Sequence, residues 1–225
     1  MLKNIPLPAL LGLVFTILFL AAAIFAPWIA PYGNGQIVGD VWQPASSQFW
    51  LGTDNLGRDL LSRMIYGARI TIFIAVLATA LSFTLGASLG FCAAVLGGWF
   101  DTGLSRLVDL LMAIPTLIFA LVVLSVLPST LVTLILVMGI LDSTRVYRLS
   151  RAIAVDIEVM DYVEAAKLRG EGMGWIIFRE ILPNALSPLI SELGLRFIYA
   201  ILFLSALSFL GLGIQPPAAD WGGMV

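Results

Sequence analysis

The sequence predicts an all-α integral membrane protein, a polytopic bundle of helices. Of its 225 residues, 60% are hydrophobic and only 12% are charged. Soluble globular domains carry roughly 25% charged residues, so the composition excludes an ordinary soluble fold. Four long stretches contain no Asp, Glu, Lys or Arg, and they cover residues 4–39, 70–100, 110–141 and 197–219. A helix that crosses a bilayer needs roughly 20 apolar residues, so each stretch is long enough.

The four uncharged stretches predict five transmembrane helices. The third is too long for one span and contains the sequence LPST at Leu127–Thr130, which favours two helices joined by a turn. The long apolar run of the first stretch and its poor cleavage sequence, FAPWIAPYG, argue against a signal peptide. The expected helices cover about residues 7–30, 70–96, 105–127, 130–148 and 186–210.

The distribution of Lys and Arg predicts a cytoplasmic N-terminus, because cytoplasmic segments of membrane proteins are enriched in these residues. With this orientation the inner segments hold Lys3, Arg106, Arg145, Arg148, Arg151, Lys167, Arg169 and Arg179. The outer segments hold Arg58, Arg63 and Arg69. We therefore expect residues 1–225 to form one transmembrane domain, with 31–69 outside and 149–184 as a cytoplasmic loop.

The outer segment contains LGTDNLGRDLLSRMIYGAR, which combines turn residues with apolar residues at helical spacing. Asn55 and Gly57 suit turns. The helical spacing is carried by Leu60, Leu61, Met64 and Ile65. We expect a short amphipathic helix that forms a re-entrant or interfacial cap before the second span. The alternative is a docking surface for an external partner.

Segment 149–184 has too many charges to cross a membrane, yet too many apolar residues for a disordered linker. Tyr162–Leu168 is predicted to be a short helix with Asp161 as its N-cap and Glu164 at the third position. We expect the helix to be broken by Gly170, Gly172 and Gly174. A second short helix, WIIFREIL, follows, and Pro183 interrupts it or opens the next one.

The expected geometry of this segment is two short helices joined by a glycine-rich bend across the inner end of the bundle. Ala165 and Ala166 form a flat surface of small residues, surrounded by charges, where another backbone could approach. This favours a docking site for another protein. The alternative is a solvated loop, but a loop of this length is uncommon unless it is functional.

Several kinds of chemistry are absent from the sequence. There is no His and only one Cys, which excludes His-based metal sites, His general bases and an internal disulfide. There is also no GxxxxGK[ST] phosphate loop, so the chain cannot hold ATP in that manner. The net charge of −2 gives no indication of nucleic-acid binding. We expect no enzyme activity, no metal site and no cofactor in this chain.

Glu192 and Arg196 form a charged pair on the predicted fifth helix. They lie four residues apart and therefore share a face of the helix. Ionisable groups at membrane depth usually face protein or a water-filled path. The pair is either a self-neutralising structural pair or part of a pore lining.

The sequence EAAKLRGEGMGWIIFREILPN resembles the cytoplasmic EAA loop of ABC importer permeases. The residues in register with the family pattern are Glu164, Ala165, Ala166, Gly170, Leu182 and Pro183, whereas Glu180 replaces the usual Ile. Residues 51–70 and 207–225 resemble the peptide and nickel subfamily, specifically its dipeptide or oligopeptide permease C type. The three motifs occur in the expected order and span most of the chain.

The resemblance implies a subunit of an ATP-driven importer in a bacterial or archaeal cytoplasmic membrane. Family members pair with a second, homologous permease, receive substrate from an external binding protein, and contact cytoplasmic ATPase subunits that hold ATP and Mg. The resemblance assigns ATPase coupling to Glu164, Ala165, Ala166, Lys167, Gly170, Gly172, Leu182, Pro183 and Asn184. It assigns the external motif to Gly52, Thr53, Asp54, Gly57, Arg58 and Asp59.

Family members usually continue beyond WGGMV into a sixth helix, which this sequence does not contain. The leading interpretation is a permease for peptides or related solutes: dipeptides, longer peptides, glutathione-like compounds or nickel chelates. The alternative is a truncated, non-transporting membrane scaffold that binds an ATPase. An autonomous channel or carrier is a third possibility, but it would not need the charged segment.

Overall fold

The computed structural model describes residues 6–224 and is almost entirely helical. Lys3, which contributes to the orientation prediction, lies outside the described residues. The α-helices are α1 (Leu7–Ile29), α2 (Leu60–Leu96), α3 (Gly98–Ala113), α4 (Thr116–Val126), α5 (Leu131–Glu158), α6 (Asp161–Leu168), α7 (Met173–Trp175) and α8 (Leu182–Phe209). A π-helical segment, Ile176–Ile181, joins α7 to α8, and a 3₁₀ turn covers Gly222–Met224. Within residues 6–224 there is no β-strand, which confirms the all-α prediction.

Three helices of the described chain are long and apolar enough to cross a membrane. They are α1, α2 and the continuous run Met173–Phe209. The bent pair of α3 and α4 gives a fourth candidate if it counts as one span. Helix α5 does not qualify, because Asp142, Arg145 and Arg148 interrupt its apolar sequence. The five-span count therefore stays a prediction.

The predicted helix at 105–127 is wrong, because the chain bends by 85° between α3 and α4. The bend lies at Ile114 and Pro115, which connect the two helices. The residue before a proline is sterically driven out of the helical region, and Ile114 has ψ 128° accordingly. The predicted break at LPST is confirmed: α5 starts after Thr130, whose side chain accepts a hydrogen bond from the Thr133 N–H.

Two other helices extend beyond their predicted limits. Helix α2 begins at Leu60 instead of residue 70, so the predicted short amphipathic helix is its first turns. Asp59 Oδ2 accepts hydrogen bonds from the N–H and hydroxyl of Ser62, and this starts the helix early. Helix α5 continues to Glu158 instead of ending near 148, because the residues on its packed face stay buried as far as Ile157.

The chain divides into two compact units. One contains the residues up to Ile74 together with those from Leu204 onward, and the other contains Ala75–Phe203. The single transmembrane domain over 1–225 remains a prediction.

In the second unit, two glycines let α2 approach α5 closely. A Cβ on Gly86 would lie 2.6 Å from both Ser143 O and Val146 Cβ, and one on Gly90 would lie 2.8 Å from Tyr147 O. The two glycines are four residues apart, in the sequence GASLG, so both lie on the same helix face. This is the GxxxG spacing that allows membrane helices to pack backbone against backbone.

Candidate functional site

The motif Gly52–Asp59 forms a tightly hydrogen-bonded loop in the first unit. Thr53 Oγ1 donates to Asp40 O at 2.6 Å and accepts from the Gln43 N–H at 2.8 Å. Gly52 and Gly57 have φ of 79° and 73°, and a Cβ on either would collide with a backbone carbonyl. The backbone geometry therefore requires glycine at both positions. The sequence predicted turn chemistry here but not the depth to which the loop is buried.

Asp54 is the charged centre of this loop. Its Oδ1 accepts from the N–H groups of Leu56 and Arg58, and its Oδ2 lies 2.7 Å from Arg58 Nε and 3.4 Å from Arg63 Nε. All three charged side chains are buried. Burial alone would raise the pKa of Asp54, but the hydrogen bonds from Arg58 and Leu56 and the Arg58 charge lower it below 3.8.

We expect this loop to lose stability in acid. A carboxyl group whose pKa is lowered by folding stabilises the folded state fully above its ordinary pKa of 3.8, and this contribution disappears as the pH falls through the lowered value. Hydrogen exchange of the loop amides, corrected for intrinsic rates, should show protection falling below pH 3.8. The Asp54→Asn variant should be less protected than the wild type above pH 3.8, and the difference should disappear as Asp54 of the wild type becomes protonated. Wild-type protection that stays constant through this range would contradict the prediction.

The C-terminal segment packs on the N-terminal part of α2, also within the first unit. Trp221 donates from Nε1 to Met64 O at 3.1 Å and from its backbone N–H to Thr71 Oγ1 at 3.3 Å. A Cβ on Gly222 would lie 2.5 Å from Ser205 O, so this glycine allows a close approach to α8. The ADWGGM sequence thus has a structural role.

Helix α6 is anchored to the second unit by one face. Val163 and Ala166 are completely buried, and Val163 belongs to a core that also contains Phe91 of α2 and Ile157 of α5. The same core includes Ile181 from the π segment. The opposite face is exposed and carries Glu164, Ala165, Lys167 and Leu168. We call these four residues the α6 outer face.

Helix α6 ends at Gly170 in a Schellman motif. The Gly170 N–H donates to Lys167 O at 2.9 Å, and the Glu171 N–H donates to Ala166 O at 3.2 Å. This pattern places the residue after the C-cap in the left-handed region, and Gly170 has φ 83°. The glycine therefore fixes the direction in which the chain leaves α6.

Two predictions about this region need correction. Asp161 is the first residue of α6 and not its N-cap; the cap position is Met160, and no side chain bonds to the helix end. The second segment is not a separate short helix, because α7, the π segment and α8 form one run from Met173 to Phe209. Pro183 does not break the run: it is the second residue of α8, in the first turn where proline is tolerated, as the second of the two predicted alternatives has it.

The remaining predicted coupling residues lie along or next to this run. Gly172 is exposed, with extended ψ of 164° before α7. Leu182 is half-buried, and Pro183 and Asn184 are exposed on the first turn of α8. Asn184 Nδ2 donates to Glu180 O at 2.6 Å. The α6 outer face and the start of α8 thus remain accessible in the described chain.

Glu192 and Arg196 are joined by a third residue that the sequence did not indicate. Arg196 Nε lies 2.7 Å from Glu192 Oε1, and Arg196 Nη1 donates to Asp142 Oδ1 of α5 at 3.1 Å. The Arg196 guanidinium also lies over the Tyr199 ring, 4.9 Å from its centre. Arg196 is buried. Asp142 and Arg196 are 54 residues apart in the sequence, so no local pattern could indicate their contact.

Comparisons with known proteins identify the class of the chain. The family described as "Binding-protein-dependent transport system inner membrane component" matches residues 82–225, which include α6 and the Asp142–Arg196–Glu192 cluster. The chain belongs to this family. A second description, "N-terminal TM domain of oligopeptide transport permease C", matches residues 8–44 of the permease. The resemblance seen in the EAA sequence is confirmed, and the permease is a multi-pass inner membrane protein.

Curated relatives align with nearly the whole permease. The dipeptide transport system permease protein DppC of Haemophilus influenzae is 37% identical over 96% of this chain and 76% of its own length. The di/tripeptide transport system permease protein DppC of Pseudomonas aeruginosa is 38% identical over 96% of this chain and 74% of its own length. The Escherichia coli K12 dipeptide transport system permease protein DppC is 40% identical, with shares of 96% and 75%.

Proposed function

We propose that this permease is a membrane subunit of an ATP-driven importer for dipeptides or similarly short peptides. The observation that carries the proposal is the set of relatives, at 37–40% identity, whose names specify dipeptide or di/tripeptide transport. At this similarity over 96% of the chain, the substrate class is the natural expectation for this permease. The non-transporting scaffold is not favoured.

The α6 outer face is the proposed ATPase contact. Leu168 is 83% exposed at its end, and Val159, just before α6, is 75% exposed. Exposed apolar side chains rimmed by charges are typical of protein interaction sites. Lys167 Nζ lies 2.7 Å from Glu158 Oε1, so this charge of the face is paired with the end of α5. In this proposal the ATPase holds ATP and Mg, and this chain holds neither.

The proposal includes an orientation and a set of partners. The N-terminus lies in the cytoplasm, α6 faces the cytoplasm, and the Gly52–Asp59 motif faces the external binding protein. A second, homologous permease completes the path. The positive residues Arg145, Arg148 and Arg151 lie toward the α6 end of α5, which agrees with the enrichment of cationic residues on the cytoplasmic side.

The proposal is tested by uptake in cells that lack other peptide importers. This permease is expressed with a second permease, ATPase subunits and binding protein of the same transport system, and uptake of radiolabelled alanyl-alanine is measured. We expect accumulation that requires this chain and stops on ATP depletion. Absence of uptake with all subunits present in the membrane, or uptake insensitive to ATP depletion, would refute the proposal.

We expect Gly170→Pro to abolish peptide uptake while leaving membrane insertion intact. Proline cannot adopt φ 83° and has no N–H to donate to Lys167 O, so the Schellman motif is lost and the α6 outer face is misdirected. Glu164→Lys should have the same effect by reversing a charge on that face. Uptake and ATPase co-purification are measured together.

Gly103→Ala is the matched control for these variants. Gly103 lies in α3, and a Cβ there meets nothing within 4 Å, so uptake should be unchanged. Normal ATP-driven uptake in both Gly170→Pro and Glu164→Lys would exclude α6 as the coupling element.

A further inference from the structure

An apolar groove lies between α1 and the first part of α2, within the first unit. Phe19 and Ala22 of α1 form one wall, and five apolar residues of α2 in the range Leu60–Ala68 form the other. Trp221 and Met224 of the C-terminal segment also line it. The lining side chains are all apolar, and the Trp221 indole N–H already donates to a backbone carbonyl of α2. The groove therefore offers no free polar side chain to hold water or a charged ligand.

The groove exists because α1 is packed against its own unit mainly near its C-terminal end. Only two residues of α1 are buried, and both are alanines in its last turns. Just beyond the helix, the Tyr32 N–H donates to Ser62 Oγ at 3.0 Å, which holds the end of α1 beside the start of α2. Farther along α1, the Phe19 ring contacts the edge of Trp221, with 5.7 Å between the ring centres. Between these two contacts the wall carries the small side chain of Ala22, which leaves space unfilled.

The depth of the groove in the membrane follows from the length of α1. Its 23 residues measure about 34 Å, just enough to span a hydrocarbon core of roughly 30 Å. Phe19 lies about 15 Å along the helix from its end at Ile29, and thus near the middle of the core. Trp28, and Trp50 beside the lining residue Leu51, are largely exposed, and tryptophan is enriched at the membrane–water interface. The groove therefore lies at the depth of the acyl chains of one leaflet, the outer one in the proposed orientation.

The size of the groove suits a hydrocarbon chain better than a protein helix. Its volume is about 650 Å³, roughly four times that of a 150 Å³ cavity that admits benzene, so it holds roughly two dozen carbon atoms. An α-helix with its side chains is about 10 Å wide and would fill about 940 Å³ over the roughly 12 Å between Leu60 and Ala68. A whole helix is therefore too large for the groove, whereas one long acyl chain fits.

We infer that this groove binds one acyl chain of a membrane phospholipid, with the headgroup at the level of Trp28 and Trp50. The bound chain makes dispersion contacts with both helices and so completes the packing of α1 on α2. The phospholipid is a structural ligand of the permease and not its transported substrate. The inference therefore depends on the membrane location of the chain and not on the proposed peptide specificity.

Photo-crosslinking of the purified importer tests the inference. The importer is placed in lipid nanodiscs with a small fraction of phosphatidylcholine that carries a diazirine in the middle of one acyl chain. Adducts are located by peptide mass spectrometry after illumination. We expect adducts on Ile65 and Met224, which are half-buried and line the groove. Absence of these adducts, as when side chains of another subunit fill the groove, would overturn the inference.

Ala22→Phe is the decisive variant, because the added ring would occupy the groove. Its adducts on Ile65 and Met224 should fall about tenfold relative to the other lipid adducts of the permease. Ala9→Phe is the matched control, since Ala9 is exposed on the same helix and does not line the groove. It should keep the wild-type pattern. Unchanged groove adducts in Ala22→Phe would contradict the inference.

A second measurement uses only the wild-type importer, so it does not depend on how Ala22→Phe folds. The importer is stripped of lipid in detergent and titrated with the same phosphatidylcholine probe, and the adducts on Ile65 should saturate as they do for a bound ligand. A rise without saturation would overturn the inference. A diazirine-bearing palmitate is tested in parallel, and labelling by the fatty acid but not by phosphatidylcholine would overturn it as well. The proposed function fails separately, because only the uptake assay with alanyl-alanine decides it.

Discussion

The Gly86→Ala variant is expected to lose about 1–3 kcal/mol of stability, a typical cost of overpacking a well-packed helix contact. The added Cβ would lie 2.6 Å from Ser143 O, a backbone atom that cannot rotate away. Helices α2 and α5 would then have to separate. Gly86→Leu should be worse, and Gly86→Leu combined with Gly90→Leu should prevent accumulation of the folded permease.

The measurement is thermal denaturation of the purified permease in mild detergent, followed by loss of monodisperse protein. Gly194→Ala is the matched control, since Gly194 lies within α8 and a Cβ there meets nothing within 4 Å. It should be neutral or slightly stabilising, because alanine favours helices more than glycine. Equal stability of Gly86→Ala and Gly194→Ala would show that α2 and α5 do not pack as closely as described.

Removal of the Arg196 charge should have the largest single effect on stability. In Arg196→Met, the carboxylates of Asp142 and Glu192 lose their shared cation while they remain partly buried. Breaking a buried ion pair by removing one partner costs about 3–5 kcal/mol. We therefore expect little folded protein in the membrane, measured by fluorescence-detected size-exclusion chromatography.

A neutral triple variant distinguishes charge from packing. Combining Arg196→Met with Asp142→Leu and Glu192→Gln removes all three charges, and replacing a buried charged group by apolar residues is often neutral or stabilising. The triple variant should recover folded protein. Arg106→Met, at an exposed position on α3, is the control for loss of a cation. Normal folding of the single Arg196→Met variant would contradict the prediction.

The sequence predicted what depends on composition and local patterns. The uncharged stretches predicted apolar helices, the turn sequence LPST predicted the break between α4 and α5, and the residues of segment 149–184 predicted the short helix α6 that ends near Gly170. Two further signals in the sequence bear on how the helices bend and pack. Pro115 could have indicated the bend between α3 and α4, and GASLG carries the GxxxG spacing of a close helix contact.

The sequence could not predict contacts that depend on how distant segments meet. The Glu192–Arg196 pair follows from helical spacing, but Asp142 reaches Arg196 only because α5 packs beside α8. Likewise, nothing in the local sequence of Thr79 on α2 indicates that its hydroxyl is buried without a hydrogen-bond partner among the described residues. The early start of α2 was also not predicted. The hydrogen bond that caps the helix at Asp59 stabilises its first turns despite the charged residues that follow.

The unbroken run from Met173 to Phe209 has a mechanical consequence. Its 37 residues, at 1.5 Å each, make a rod of about 55 Å, well beyond the roughly 30 Å of a hydrocarbon core. A rod of that length that tilts by about 5° at one end moves its other end by about 5 Å. It begins three residues after Gly170, so in the proposed coupling a small displacement of α6 would act at the start of this run, next to the π turn at Ile176–Ile181.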